Sequence, residues 1–330
     1  MQLIWDTKHK AKSIASKILK QWHSAMYGSC AVLLYHRVSE YTNDPQLLCV
    51  SPENFDKQLE FLKNNYTVLS IEEWKTNILQ HKKFKSGSIV ISFDDGYEDN
   101  FLHAIPILEK HGMQALFYVC TGNLNTPNEF WWDELENILL LSKPVGQELS
   151  IDLNGLIKKY GTDIEQRNSL YQELLPVLRK IHPNKRSITL KQLSEQFGNP
   201  APRASHRSMS FEQLKKMSGS NAAVIGAHTH NHPSLAALSM EEQKSEIQDS
   251  KQIVEDLLGT KIEHFSYPFG TKMDYTQGTM NLCKEAGFHL VASNYPYITH
   301  AYTDPFQVPR FLVRDWALNE FKSAIHNFFN

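Results

Sequence analysis

Apolar and polar positions along this chain follow two alternating patterns. Short continuous apolar runs, many rich in β-branched or aromatic residues, occur at CAVLLYH (30–36), SIVISF (88–93), QALFYVC (114–120), AAVIGA (222–227), IEHFSYP (262–268), FHLVASN (288–294) and FQVPRFLV (306–313). Runs of this length without regular polar alternation predict strands buried on both faces. Between them, apolar residues recur at helical spacing. Phe55, Leu59 and Leu62 mark a helix over 52–64, and a second spans 100–111 and stops near Gly112. A long helix runs from about Ser239 to Leu258 and ends at Gly259, and another lies near 277–286 and stops at Gly287. Alternating buried strands and amphipathic helices predict a parallel sheet covered by helices. About seven such repeats in one chain favour a (β/α) barrel over an open sheet.

The rhythm breaks between Asn128 and His206. WWDELENILLL, EQRNSLYQELLPVLRKI and TLKQLSEQF read as helices, and no strand stands out. The expected fold is therefore α/β: a distorted (β/α) barrel of about seven strands, built from 30–127 and 207–330, with a helical insertion at 128–206. Pro200, Pro202 and the polar run to Ser208 read as the exit linker of that insertion. Residues 1–29 read as a separate amphipathic helix, with Ile14, Ile18, Trp22 and Met26 on one stripe and Lys10, Lys17 and Lys20 nearby. Such a helix either packs on its own domain or lies on an anionic membrane surface.

Composition narrows the function classes. The formal net charge of −2 over 330 residues argues against a dedicated nucleic-acid binder, which needs a basic face. No apolar run approaches the roughly 20 residues that span a bilayer. The N-terminus lacks the compact apolar core and cleavage site of a secretory signal. The expected location is cytoplasmic, with the basic helix allowing a place peripheral to the inner face of the membrane. None of Cys30, Cys49, Cys120 and Cys283 forms a C-x-x-C pair, so zinc-ribbon and thioredoxin-like readings have no support, and Cys30 and Cys120 read as small buried hydrophobes. Fifteen histidines are a surplus that directs attention to metal or proton chemistry.

Two constellations carry that chemistry. Ser92-Phe93-Asp94-Asp95-Gly96 sits where the strongest predicted strand ends, the end that faces the active site in α/β barrels. Adjacent carboxylates there are costly unless they bind a cation or share a proton. His228-Thr229-His230-Asn231-His232-Pro233 follows another predicted strand, and His228 and His232 are spaced to converge on one ion. One Asp and two His make a set of three with open positions, as a catalytic metal site requires. The second Asp is then free to act as a base. His230 points elsewhere in that arrangement.

On these motifs the sequence resembles the polysaccharide deacetylases, carbohydrate esterase family 4. SFDDG resembles the family's first motif, HTHNHP its second, and FSYPFG (265–270) its third. The resemblance spans roughly 30–127 and 207–315. It implies Asp94 as catalytic base, Asp95, His228 and His232 as ligands of a divalent metal, best read as zinc, and the backbone N–H of Phe269 as an oxyanion donor. It implies hydrolysis of the N-acetyl group of an amino sugar in a polysaccharide or glycan precursor, with release of acetate. The residue chemistry is consistent with this: a metal polarises the amide carbonyl and lowers the pKa of water, and preorganised donors hold the developing oxyanion.

Two departures from the family pattern matter. The third motif usually carries Arg two residues before its Pro; here that position is Ser266, and Arg310 on the last predicted strand is the candidate substitute, with Arg314 second. The C-terminal Leu-x-His motif of many members is matched only by Ala324-Ile325-His326 inside a predicted helix. His36, ending the first predicted strand, is the better general acid, as in the permuted branch that includes poly-N-acetylglucosamine deacetylases. Tyr97, Trp131, Trp132 and Trp316 are candidate sugar platforms. The competing reading is a non-catalytic sugar-binding or regulatory relative, to which Ser266 lends the most weight. A glycoside hydrolase is disfavoured, because adjacent carboxylates on one strand end do not flank a glycosidic bond.

Overall fold

The computed structural model describes residues 28–41, 43–153 and 156–329. The helix predicted over 1–29, with its membrane reading, lies almost wholly outside the described residues. Twelve strands are described: β1 (Cys30–Tyr35), β2 (Arg37–Val38), β3 (Cys49–Val50), β4 (Thr67–Val68), β5 (Ser88–Phe93), β6 (Ala115–Val119), β7 (Glu148–Leu153), β8 (Leu156–Gly161), β9 (Ala223–Ala227), β10 (His264–Ser266), β11 (Leu290–Ala292) and β12 (Phe311–Leu312).

Seven of them follow one another as β11-β10-β9-β6-β5-β1-β12, each neighbouring pair parallel, and β4 pairs with the lower half of β5. The sheet curls into a distorted barrel. Its closing segment is the one containing Pro309, which cannot donate to a ladder. Val308 bridges Ala292 on one side of that proline, and Phe311–Leu312 pair with Leu33–Leu34 on the other. The run predicted as a strand over 306–313 is thus split between the two edges of the sheet.

Alternate strand residues separate into two cores, as a period of two requires. Leu33, Ile91, Phe117 and Ile225 join the surrounding helices. Val32, Val90, Leu116 and Tyr118 meet Leu290 and Val308 from the far strands, together with Trp74 and Ile78 of the helix Ile71–Leu79. That second set can form one cluster only because the sheet is curved. Helix ends follow local chemistry. Ser239 and Glu242 form a reciprocal capping box that starts Met240–Leu258, and Gly259 at φ 66° ends it. Asn100–Ala104 is one π turn that runs into the α-helix Ile105–His111.

The segment 128–206 has its own core, in which Leu135, Leu139, Leu170, Leu174, Leu190 and Leu193 meet. Its helices are Trp131–Glu136, Ile164–Lys180 and Pro183–Glu195. It also carries the antiparallel pair β7–β8, which the helical reading of this segment did not include. The sequence signal was present: Asn154-Gly155, a strong short-range hairpin marker, follows the alternating ELSIDL.

Candidate metal centre and its surroundings

The two carboxylates stand at the C-terminal end of β5. The Asp94 amide donates to Tyr35 O at 3.1 Å, which continues the pairing with β1, and the chain then turns sharply. Asp95 has φ 75° and Gly96 φ 84°. A Cβ on Gly96 would lie 2.9 Å from Val119 Cγ1, so this turn needs glycine. The turn gives the two neighbouring carboxylates different partners.

Asp94 is clamped by arginine. Arg310 Nη1 and Nη2 each donate to one carboxylate oxygen at 2.7 Å, and Nη2 also donates to Ser266 Oγ at 2.7 Å. Arg310 Nε donates to Ser293 O at 2.9 Å, and the guanidinium is fully buried. Ser266, at the position where the family motif has arginine, donates to Asp94 Oδ2 at 3.3 Å. Burial alone would raise the Asp94 pKa. The charges of Arg310 and His228 outweigh it and hold the carboxyl below its ordinary value.

Asp95 faces two imidazoles. Its Oδ1 lies 3.5 Å from His228 Nε2 and 3.4 Å from His232 Nε2. One ligand atom from each of the three residues falls within 4.8 Å of the others, and all three residues are buried. His228 Nδ1 contacts Ser266 O at 2.7 Å, which orients the ring and leaves Nε2 for the cluster. Asp95 Oδ1 itself is buried without a hydrogen-bond partner. An orphaned carboxylate oxygen between two imidazole nitrogens fits a divalent cation, and the donor set of one O and two N suits zinc and its neighbours. Burial lowers the His232 pKa to about 4 against the pull of Asp95, which favours the neutral, ligating form.

The histidine loop is held from several sides. His228 N donates to Val119 O at 3.0 Å, so the loop starts directly on β9. Thr229 and His232 both have positive φ, at 63° and 50°. Glu246, on the helix Met240–Leu258, accepts from His230 N at 2.9 Å, Asn231 N at 2.8 Å and Asn231 Nδ2 at 2.8 Å. Arg186, from the inserted segment, donates to Asn231 O at 3.1 Å. His230 turns away to Thr121 Oγ1 at 2.9 Å. The sequence reading did not single out Glu246 or Arg186. Each is one charged residue on an ordinary helix, with no local pattern to mark it.

The remaining candidates fall into place unequally. The His36 ring is close enough to feel the charges of Asp95 and Asp94. Its Nδ1 is buried without a partner, and burial lowers its pKa. Phe269 has φ 60°, and its ring packs on His232 at 4.7 Å and under Arg179 at 4.2 Å. Tyr97 and Trp132 do not serve as open sugar platforms. Tyr97 is fully buried and donates to Asp133 Oδ2 at 2.6 Å. Trp132 stacks on Phe130 at 4.7 Å, meets His232 edge-on at 4.6 Å, and donates to Tyr97 Oη at 2.8 Å. Both shape the wall behind the histidine loop. Trp316 packs against the main core instead of the aromatic group around His232. His326 lies inside the helix Leu318–Phe329, as expected.

The comparisons with known proteins bear on the family and the fold. The family model described as polysaccharide deacetylase matches residues 81–140 and 162–291, more than half of the chain. The Bacillus subtilis (strain 168) protein YxkH, which carries the name of a polysaccharide deacetylase, is 22% identical over 266 residues, covering 80% of this chain. The match takes in 64% of that relative, so the chain spans less than two thirds of its length. Among solved structures, the Streptococcus pyogenes deacetylase PplD in complex with acetate superposes with TM-score 0.59 at 19% identity, covering 91% of this chain and 99% of that one. IcaB from Ammonifex degensii gives TM-score 0.58 at 18% identity, covering 92% and 97%. These structures share the fold. The family match places the chain in the polysaccharide deacetylase family. Asp94, Asp95, His228, His232 and Phe269 lie within the matched residues; His36 and Arg310 lie outside them.

Proposed function

We propose that this chain is a metal-dependent N-deacetylase that hydrolyses the N-acetyl group of an amino sugar in a polysaccharide or glycan precursor and releases acetate. The observation that carries the reading is the pairing of Asp95, His228 and His232 around one point with Asp94 clamped by Arg310 beside it. Asp95 Oδ1, His228 Nε2 and His232 Nε2 would hold the ion. A bound divalent ion, best read as Zn2+, supplies Lewis-acid polarisation of the amide and activation of water.

The protein groups have separate tasks. Asp94 is kept ionised by Arg310 and accepts the proton of the attacking water. The bidentate guanidinium fixes the direction in which that carboxylate accepts. The Phe269 N–H donates to the developing oxyanion. His36 delivers a proton to the departing amine, the atom that must be protonated to leave. Ser266 in place of the family arginine does not remove the guanidinium from Asp94, because Arg310 reaches it from the closing segment of the barrel.

Asp94→Asn tests the assignment of the base. The expected outcome is a loss in kcat for acetate release of about 10²–10⁴-fold with unchanged metal content. A variant that deacetylates within threefold of the wild-type rate contradicts the assignment.

A further inference from the structure

A second group of metal-ligating side chains lies where the inserted segment leaves and rejoins the barrel. Asp133 and Glu136, three positions apart on the helix Trp131–Glu136, face His206 on the turn Ala204–His206. One ligand atom of each lies within 4.8 Å of the others. All three residues are buried, at 5%, 4% and 4% exposure.

Asp133 and His206 are each held by one side-chain atom from outside the group, and Glu136 by two. Tyr97 Oη donates to Asp133 Oδ2 at 2.6 Å, Asn43 Nδ2 donates to Glu136 Oε1 at 2.6 Å, and Ser205 Oγ contacts His206 Nδ1 at 3.0 Å. Asp133 Oδ1 and His206 Nε2 are left over by these contacts, and Glu136 Oε2 accepts only a long bond from Arg203 Nη2 at 3.4 Å. Orienting bonds on one atom with ligation through the other is the usual arrangement around protein metals.

Charge points the same way. Four carboxylates are buried at this junction, Asp99, Glu129, Asp133 and Glu136, against two guanidiniums, Arg37 and Arg203. Arg37 pairs with Asp99 at 2.9 Å and Arg203 with Glu129 at 2.7 Å; Arg203 reaches Glu136 only at 3.4 Å. Arg203 is thus shared between two carboxylates, and no guanidinium pairs with the Asp133 carboxyl, an arrangement that burial makes costly. Tyr171, on the helix Ile164–Lys180, is 1% exposed and close enough to feel the charges of Glu136 and Asp133. Its hydroxyl has no hydrogen-bond partner.

We propose that Asp133, Glu136 and His206 form a second, structural site for a divalent cation of the Zn2+ or Mn2+ type, which ties the entry of the inserted segment to its exit. Two carboxylate oxygens and one imidazole nitrogen suit such ions. Tyr97 connects this group to the wall behind His232, so the ion would also stiffen the back of the candidate active site.

Metal counting tests this without any measurement of activity. The full chain is stripped with chelator, dialysed against Zn2+ and, separately, Mn2+, and its bound metal is measured by elemental analysis. The expected result is two equivalents for the unmutated chain in at least one of the two metals. His206→Ala then retains one, which is lost on adding His232→Ala. A saturating stoichiometry of one, abolished by His232→Ala and unchanged in His206→Ala, overturns the second site and leaves the first intact. Two equivalents retained by His206→Ala also overturn it. The stoichiometry of the unmutated chain decides the matter if a variant does not fold. A chain that binds the second equivalent yet releases no acetate would contradict the proposed activity and not this site.

Discussion

At the residue scale, the guanidinium of Arg310 decides what Asp94 can do. The pair is buried, and the remaining donors of Arg310 are taken up by Ser92, Ser266 and Ser293. Removing one partner of a buried pair strands a charge and costs about 3–5 kcal/mol. Arg310→Met is therefore expected to lower stability by that amount in chemical denaturation and to raise the pKa of Asp94, which moves the acidic limb of the kcat/KM profile to higher pH. Arg310→Lys keeps the charge but loses the bidentate fork, and should fall between the two. An unmoved acidic limb in Arg310→Met would remove Arg310 from the control of Asp94. The arginine absent at Ser266 could be replaced because Ser266 and Arg310 converge on the same carboxylate oxygen, Asp94 Oδ2.

At the element scale, the histidine loop depends on a helix that contributes nothing to the chemistry. Glu246 takes three donors from His230 and Asn231, and the loop carries positive φ at Thr229 and His232. Glu246→Ala should weaken metal affinity by about 10- to 100-fold, as loss of an orienting partner does. A competition titration with a chromogenic chelator measures this, and an unchanged dissociation constant would contradict it. A second expectation belongs to β10. His264 is buried against Trp74, and burial lowers its pKa to about 3, with Lys75 and His289 acting in the same direction and Glu263 opposing. Its ordinary value is 6.5, so between pH 6.5 and 3 the unfolded chain binds the extra proton. Stability from this group is whole above pH 6.5 and falls by about 1.4 kcal/mol per pH unit below it. His264→Phe should flatten the loss seen on going from pH 7 to 5.5, and an unchanged slope would contradict the account. The strands β1, β5, β6 and β9 were legible in sequence because buried parallel strands read as unbroken apolar runs. The two-residue β4 was not, and the run 306–313 was legible as a strand but not as one split between β11 and β1, because these pairings are set by tertiary contacts.

At the scale of the whole molecule, the barrel brings together residues far apart in the chain. Asp94 and Asp95 follow β5, His228 and His232 follow β9, Phe269 follows β10, and Arg310 precedes β12. The motif residues were readable because their types and spacing match a metal site. The supporting residues, Glu246 on one side and Arg186 on the other, were not readable, since only folding places them beside Asn231. The inserted segment adds Trp132 against His232 and Arg179 over Phe269, so it is part of the wall around the candidate site. Among the described residues no helix is long and apolar enough to cross a membrane. The most direct test of the account is reconstitution. The chain is freed of metal with chelator, shown by circular dichroism to remain folded, and titrated with Zn2+ while acetate release from N-acetylated amino-sugar oligomers is followed. The account predicts no release from the metal-free chain, recovery in step with filling of the Asp95–His228–His232 site, and no recovery in His232→Ala. Full-rate release without metal, or no release from the loaded chain on polymeric, lipid-linked and nucleotide-linked N-acetylated amino sugars, would contradict it.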